Sequence, residues 1–291
     1  MRVAIYGRYL KDRDTPFLQE IISKLHNNNF EVVIHNTFNE RIKNDVSREG
    51  CSTFDGYEDI KSDVDFLFSL GGDGTLLDTV SLVRDSEIPV LGINLGRLGF
   101  LASTGKDEID AVIESLIYRT YVLDKRTLIH VDTSNDLFGD VNYGLNEFTI
   151  HKKDTSSMIT INAYINGELL NAYWADGLIV ATPTGSTGYS LSCGGPIIFP
   201  TSHNFVITPV APHNLNVRPI VVSSDTILSF KVEGRSDYFL STIDSRYATI
   251  DSSVQLAIRQ ESFSFHLMRM NESGFLNTIR SKLMWGIDQR N

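Results

Sequence analysis

Three glycines in four residues, Gly71, Gly72 and Gly74, surround Asp73 in the run Ser69-Leu70-Gly71-Gly72-Asp73-Gly74-Thr75-Leu76-Leu77. Glycine at this density removes the Cβ atoms that would block positive φ or the close approach of a phosphate to backbone N–H groups. An apolar strand-like stretch, Asp65 to Leu70, precedes the run, and a helical pattern, Leu76 to Val83, follows it. A helix start at that point adds partial positive charge facing an anion. The aspartate is the odd component, because its charge repels phosphate unless a metal or a proton to be abstracted justifies it. The combination points to phosphoryl transfer, and the plainer reading of the same residues is a tight strand-to-helix turn capped by Asp73. No GxxxxGK(S/T) phosphate loop occurs, the third glycine of the dinucleotide fingerprint is missing, and the HRD and DFG signatures of protein kinases are absent.

A second stretch runs from Asp176 to Pro196 and packs hydroxyls and glycines around Tyr189: Thr184, Gly185, Ser186, Thr187, Gly188, Ser190 and Ser192. That density suits a nucleotide or sugar, which needs many directional hydrogen bonds and one flat apolar contact; a polar loop of a β domain is the alternative. Asn146 and Glu147 pair an amide with a carboxylate near the start of a strand, able to accept from ribose hydroxyls and donate to a base, although as a dipeptide they equally fit an ordinary surface.

These residues need a scaffold, and the first third of the chain supplies alternating elements. Arg2 to Tyr6 reads as a strand. Thr15-Pro16 offers an N-cap and a first-turn proline, and Phe17, Ile21, Ile22 and Leu25 recur at helical spacing. Phe30 to Ile34 and Val90 to Ile93 read as buried strands, Ile109 to Tyr118 as an amphipathic helix, and Asn36 to Ser62 as loops with one short helix. Strands alternating with helices imply a parallel sheet. After about residue 124 short apolar runs and turns take over, with Asn166-Gly167 between Met158 to Ile165 and Glu168 to Tyr173 as a hairpin signal. Phe275 to Trp285 returns to helical spacing. The expected division is therefore an α/β domain over 1–124, a β-rich domain over 125–270, and a helical segment over 271–291 packing on the first.

Composition narrows the partners. Of 291 residues 42% are apolar and 21% charged, ordinary globular usage, and 26 Lys+Arg against 36 Asp+Glu leave a net charge of −10. That field opposes nucleic-acid binding. No run approaches the ~18 apolar residues of a membrane span, and the start of the chain has no signal-peptide pattern. Cys51 and Cys193 form no CxxC pair and no metal cluster, as expected of a reducing, cytoplasmic setting.

Taken together the motifs resemble the NAD kinase family. The resemblance is carried by 71–77, by Gly92-Ile93-Asn94-Leu95-Gly96-Arg97-Leu98-Gly99-Phe100-Leu101, by Leu145-Asn146-Glu147, by Asp176 to Pro196, and by Ala211-Pro212-His213-Asn214-Leu215-Asn216-Val217-Arg218-Pro219. Lipid kinases and phosphofructokinases carry similar GGDGT loops, so a lipid or sugar kinase, and a non-catalytic dinucleotide sensor, are the competing readings; the ordered set of five motifs favours NAD kinase. The resemblance implies a Rossmann-like N-terminal domain, a β-rich C-terminal domain, an assembly of two or four copies, and transfer of the γ-phosphoryl of ATP to the 2′-hydroxyl of the adenosine ribose of NAD. Inorganic polyphosphate is the alternative donor. It implies Asp73 as the catalytic base or positioning group, with Gly74 at the phosphates. Asn146, Glu147 and Asp176 would contact the dinucleotide, and Thr184 with Thr187, Gly188, Tyr189, Ser190, Leu191 and Ser192 would wrap the adenine and its ribose. A divalent cation, Mg2+, would accompany ATP, with no protein cage for it visible in the sequence. Gly188 stands where the family usually has alanine, Cys193 where alanine is common, and Arg246 where the family often has glutamine.

Overall fold

The computed structural model describes residues 1–96, 98–153, 157–270 and 274–285. Arg97 of the second motif, and 271–273 and 286–291 of the expected C-terminal segment, lie outside them. The chain divides into two compact units, one formed by Met1–Lys125 and the chain from Phe265 onward, the other by Arg126–Ser264.

In the first unit, β1 (Arg2–Gly7), α1 (Thr15–Asn27), β2 (Glu31–His35), α2 (Asn36–Ile42), β3 (Cys51–Phe54), α3 (Tyr57–Ile60), β4 (Phe66–Leu70), α4 (Asp73–Val83), β5 (Val90–Ile93) and α5 (Ile109–Tyr118) succeed one another. The strands pair in parallel in the order β5-β4-β1-β2-β3. This order reverses between β1 and β4, the switch point of a doubly wound sheet. β4 and β5 are buried along their whole length, as strands covered on both faces must be. Helix α1 buries Phe17, Leu18, Ile21, Ile22 and Leu25 in the same core as Val3, Ile5 and Phe68; each such side chain contributes about 1.5–3 kcal/mol.

Two details differ from the sequence reading. The N-cap of α1 is Asp14, not Thr15, and it makes no side-chain capping bond. The polar stretch after Asn36 contains two helices and the edge strand β3, in which two of four residues are exposed, so that it lacks the apolar signature of a buried strand.

The second unit contains most of β6 (Val122–Thr133), then β7 (Tyr143–Gly144), β8 (Glu147–Lys152), β9 (Ile159–Ile165), β10 (Glu168–Ala175), β11 (Gly177–Ala181), the single turn α6 (Tyr189–Ser192), β12 (Asn204–Val210), β13 (Ile220–Ser223), β14 (Leu228–Glu233), β15 (Tyr238–Ile243), β16 (Arg246–Asp251) and the first part of β17 (Leu256–Arg269). One antiparallel sheet runs β13-β12-β11-β8-β15-β16, and β10, β9, β14 and β17 pair in a second. The β9–β10 hairpin turns at Asn166 and Gly167, both with positive φ (50° and 86°), the conformation a type I′ turn demands. One core cluster draws Phe148, Ile150 and Phe239 from the first sheet and Ile161, Phe230 and Ile258 from the second. The last helix, α7 (Phe275–Leu283), belongs to the first unit and buries Thr278 and Ile279.

Candidate active site

The glycine run in the first unit forms the turn between β4 and α4. Gly71 has φ +154°, and a Cβ on it would lie 2.4 Å from Thr75 Oγ1, so no other residue fits there. Asp73 is the first helical residue, and its side chain turns aside instead of capping its own helix. Its carboxylate accepts from three successive main-chain N–H groups, those of Phe100 (2.8 Å), Leu101 (3.0 Å) and Ala102 (2.9 Å). Gly99 makes this possible, because a Cβ there would fall 1.8 Å from Asp73 Oδ1. The second sequence motif thus acquires a physical task, fixing the orientation of Asp73, that its letters did not disclose. Behind the loop Arg8 donates from Nε and Nη2 to the two oxygens of Asp78, which also accepts from the Tyr6 hydroxyl. Burial and that aspartate push the Tyr6 hydroxyl up to about 12.

The second unit gathers several predicted residues around the start of β8. Asp244, at the β15–β16 turn with φ 50°, accepts from the main-chain N–H groups of Leu145 (2.8 Å), Asn146 (2.8 Å) and Glu147 (3.1 Å). Burial pushes the Asp244 carboxyl up, against the three amides and the Arg246 charge, which pull it down. Thr182 donates its N–H to Asn146 O and its hydroxyl to Leu145 O, and a Cβ on Gly185 would lie 2.0 Å from Asn146 O. The glycine is therefore obligatory where the hydroxyl-rich loop crosses β8. Gly188 brings the tip of that loop to the pair: a Cβ there would sit 3.4 Å from Glu147 Oε2 and 3.8 Å from Asn146 Nδ2.

Glu147 Oε2 is buried without a hydrogen-bond partner among the described residues. Burial first, and the Asp244 charge second, raise its carboxyl to about 8. In the free protein Glu147 is thus mainly a neutral acid at pH 7, able to donate as well as accept.

The other predicted residues divide by what their side chains already do. Thr184 is buried and its hydroxyl accepts from Arg126 Nη1; Ser190 is buried and shares a 2.8 Å hydrogen bond with Thr208. Both hydroxyls brace the loop from within. Tyr189 and Ser192 are exposed, Thr187, Gly188 and Leu191 partly so, and the Tyr189 ring stacks on His151 at 5.6 Å. Asp176 pairs with Lys152 Nζ at 2.6 Å. Arg246 donates to the carbonyls of Val141 and Tyr143, so it fastens the strand segment before β8. Asp244 and Gly99 are the contributors that reading the sequence left without a role; a glycine next to an apolar run was the one visible trace.

A doubly wound unit with a glycine-aspartate turn at its helix start, joined to an antiparallel β unit with a hydroxyl-rich loop over a carboxylate-amide pair, has the composition expected of a nucleotide-dependent phosphotransferase. Residues 3–121 match the ATP-NAD kinase N-terminal domain and residues 145–270 the ATP-NAD kinase C-terminal domain. NAD kinase of Cytophaga hutchinsonii is 44% identical and that of Flavobacterium psychrophilum 43%, each aligned over the whole of both chains. A yeast NADH kinase complexed with NADH superposes with a TM-score of 0.89 at 25% identity, covering 100% of this chain and 89% of that one. An Archaeoglobus fulgidus NAD kinase in complex with ATP shares the fold, with a TM-score of 0.75 at 22% identity over 98% and 99% of the two chains. The chain belongs to the NAD kinase family. Its activity is the ATP-dependent phosphorylation of NAD to NADP, and the lipid-kinase, sugar-kinase and sensor readings are not favoured.

Proposed function

We propose that Asp73 is the group that receives the proton of the adenosine 2′-hydroxyl of NAD as that oxygen attacks the γ-phosphorus of ATP. The new O–P bond forms as the bond to the β-phosphate oxygen breaks, ADP leaves, and no covalent enzyme intermediate is required. A secondary hydroxyl is a poor nucleophile, so fixing its partner matters more than raw basicity. The observation that carries this reading is the three-amide cradle, which holds the Asp73 carboxylate in one orientation beside the start of α4.

Asn146 and Glu147 would bind the dinucleotide, with Asp176 released from Lys152 or shared with it. Thr187, Gly188, Tyr189, Leu191 and Ser192 would meet the adenine and its ribose, with Thr184 and Ser190 stiffening the same loop. Among the described residues no group of three or more His, Cys, Asp or Glu is placed to hold a metal. Mg2+ would accordingly enter on the phosphate oxygens, where it neutralises their charge. The two free thiols, Cys51 and Cys193, fit a cytoplasmic enzyme, and an assembly of two or four copies is the oligomeric state we assign from the family resemblance.

A coupled assay for NADP formation from NAD and ATP, with and without chelator, tests the reaction. NADP should appear with Mg2+ and vanish in excess chelator; full turnover under chelation would remove the cation. Light scattering reads the copy number.

A further inference from the structure

Side chains alternate along β8. Phe148 and Ile150 enter the core of the second unit, so Glu147, Thr149 and His151 share the opposite face of the sheet. On the neighbouring strand β11, Ala181, Ile179 and Gly177 stand opposite these three, Ala181 beside Glu147 and Gly177 beside His151. Ile179 and Ala181 cluster with Val206, and Cys193 and Ile198 pack against them. This face therefore lies beneath the hydroxyl-rich loop, with Glu147 at one end of the row and His151 at the other.

Gly177 acquires a task here that its place in the Asp176 motif did not disclose. A Cβ on it would fall 2.5 Å from His151 Nδ1 and 2.5 Å from Ile150 O, so glycine is what leaves room for the imidazole. The His151 ring in turn lies nearly parallel to that of Tyr189, the first residue of α6, with centroids 5.6 Å and planes 19° apart. Tyr189 is nonetheless 39% exposed, so its ring is held on one side and open on another. Burial first, with Cys193, Asp176 and Glu147 adding to it, pushes the Tyr189 hydroxyl up, which sets that ring within electrostatic reach of both carboxyl groups assigned to the dinucleotide. Burial pushes the His151 imidazole down, against the main chain and carboxylate of Asp176, so the ring is neutral at pH 7. It serves Tyr189 by shape, not by charge.

We propose that His151 is a positioning residue for the dinucleotide: seated over Gly177, it backs the Tyr189 ring and fixes its plane, so that the other face of that ring receives the adenine of NAD. The inference rests on the reading that Tyr189 meets the adenine. An exposed aromatic side chain must otherwise be ordered when the base arrives, and a preformed stack removes that cost. The effect belongs to binding of the adenine end, not to the transfer step.

The test compares the full chain with His151→Ala, His151→Phe, Tyr189→Ala and the double variant His151→Ala/Tyr189→Ala. Steady-state kinetics with each substrate varied is combined with titration by ADP-ribose, which keeps the adenine end and lacks the nicotinamide, and melting curves establish that each variant is folded. His151→Ala should raise KM for NAD and weaken ADP-ribose about threefold to tenfold, as loss of one aromatic pair predicts, with kcat and KM for ATP within about twofold. His151→Phe restores a flat ring and should stay within about twofold of the parent. In the Tyr189→Ala background, removing His151 should add no more than about a further twofold, because the ring it backs is gone. Should His151→Ala fail to fold, His151→Leu, which fills the space without a flat face, carries the same expectation. Unchanged NAD and ADP-ribose binding in these variants overturns the proposal, as do equal losses in His151→Phe and His151→Ala, or full multiplication of the two losses in the double variant. Loss of NAD without loss of ADP-ribose overturns it by moving His151 to the nicotinamide end, and a parallel loss of kcat and ATP overturns it by marking a general disturbance of the fold. Unchanged ADP-ribose affinity in Tyr189→Ala would strike the reading of Tyr189 itself; a Tyr189-dependent affinity with an insensitive His151 would strike only the positioning role.

Discussion

Asp73 in the first unit and Asp244 in the second are held alike, each accepting from three consecutive main-chain N–H groups, 100–102 in one case and 145–147 in the other. Their surroundings differ. Asp73 opens a helix behind a glycine turn that shares a cavity wall with Arg8, Lys11 and Arg13. Asp244 sits at a hairpin turn, its carboxyl pushed up by burial, and what its cradle aims is the neighbouring Glu147, whose Oε2 has no hydrogen-bond partner among the described residues. The same device therefore presents a carboxylate directly in one unit and presents a second residue through the main chain in the other. A carboxylate accepting several amide bonds is costly to replace in either place, since each donor left unpaired costs about 1–3 kcal/mol. The reaction should nonetheless distinguish them.

The sharpest separation comes from Asp73→Asn, which should lower kcat about 10²-fold or more, as loss of a general base does, with NAD affinity retained. Near-normal turnover would make Asp73 a structural acceptor like Asp244 and dissolve the contrast. Gly99→Ala perturbs the same carboxylate from outside, because the added methyl occupies its position; a fall in kcat of about 10-fold or more with KM for NAD little changed is expected, and steady-state kinetics with each substrate varied reads it.

Asp244→Asn should behave in the opposite sense. It should lose about 1–3 kcal/mol of stability in denaturant titration and raise KM for NAD, with kcat altered less than in Asp73→Asn. A kcat loss matching that of Asp73→Asn would place both aspartates at the reacting atoms.

Glu147 adds a pH signature. The folded chain binds its proton up to about pH 8, whereas the unfolded chain releases it near the ordinary value of 4.5. The folded state therefore holds the extra proton between those values, and its stability falls as pH rises across that window, by roughly 2–5 kcal/mol if uncompensated. Glu147→Gln should match the parent near pH 5 and exceed it in melting temperature above pH 8; parallel melting curves at both ends of the window would sink the assignment. KM for NAD should diverge between the two proteins on the alkaline side. Smallest of all, Gly188→Ala adds a methyl 3.4 Å from Glu147 Oε2 and should shift KM for NAD by about twofold at most.

Local chemistry was legible without coordinates. The turn at Asn166-Gly167 needs two positive φ values from adjacent residues, and the Gly71-Gly72-Asp73-Gly74 turn needs glycine within a few positions of one aspartate, so both are written in consecutive letters. The buried strands β4 and β5 announced themselves by predominantly apolar runs, broken in β4 only by Ser69. β3 did not, because an edge strand with two exposed residues looks like loop, and the polar stretch around it holds two helices where one was expected.

The sequence alone determined the alternation of strands and helices in the first third, the glycine turn, the hydroxyl-rich loop and the family they resemble, since each depends on residues close together along the chain. Only the tertiary structure decided which groups those residues face. Asp73 meets its amides across 27–29 residues, and Asp244 meets its own across 97–99. It also decided that Thr184 and Ser190 face inward, that Arg246 fastens carbonyls, and that Glu147 keeps its proton. The reason is physical: hydrogen bonding and burial act through distances of a few ångströms, and the folded chain brings to that distance residues whose spacing in sequence carries no record of it.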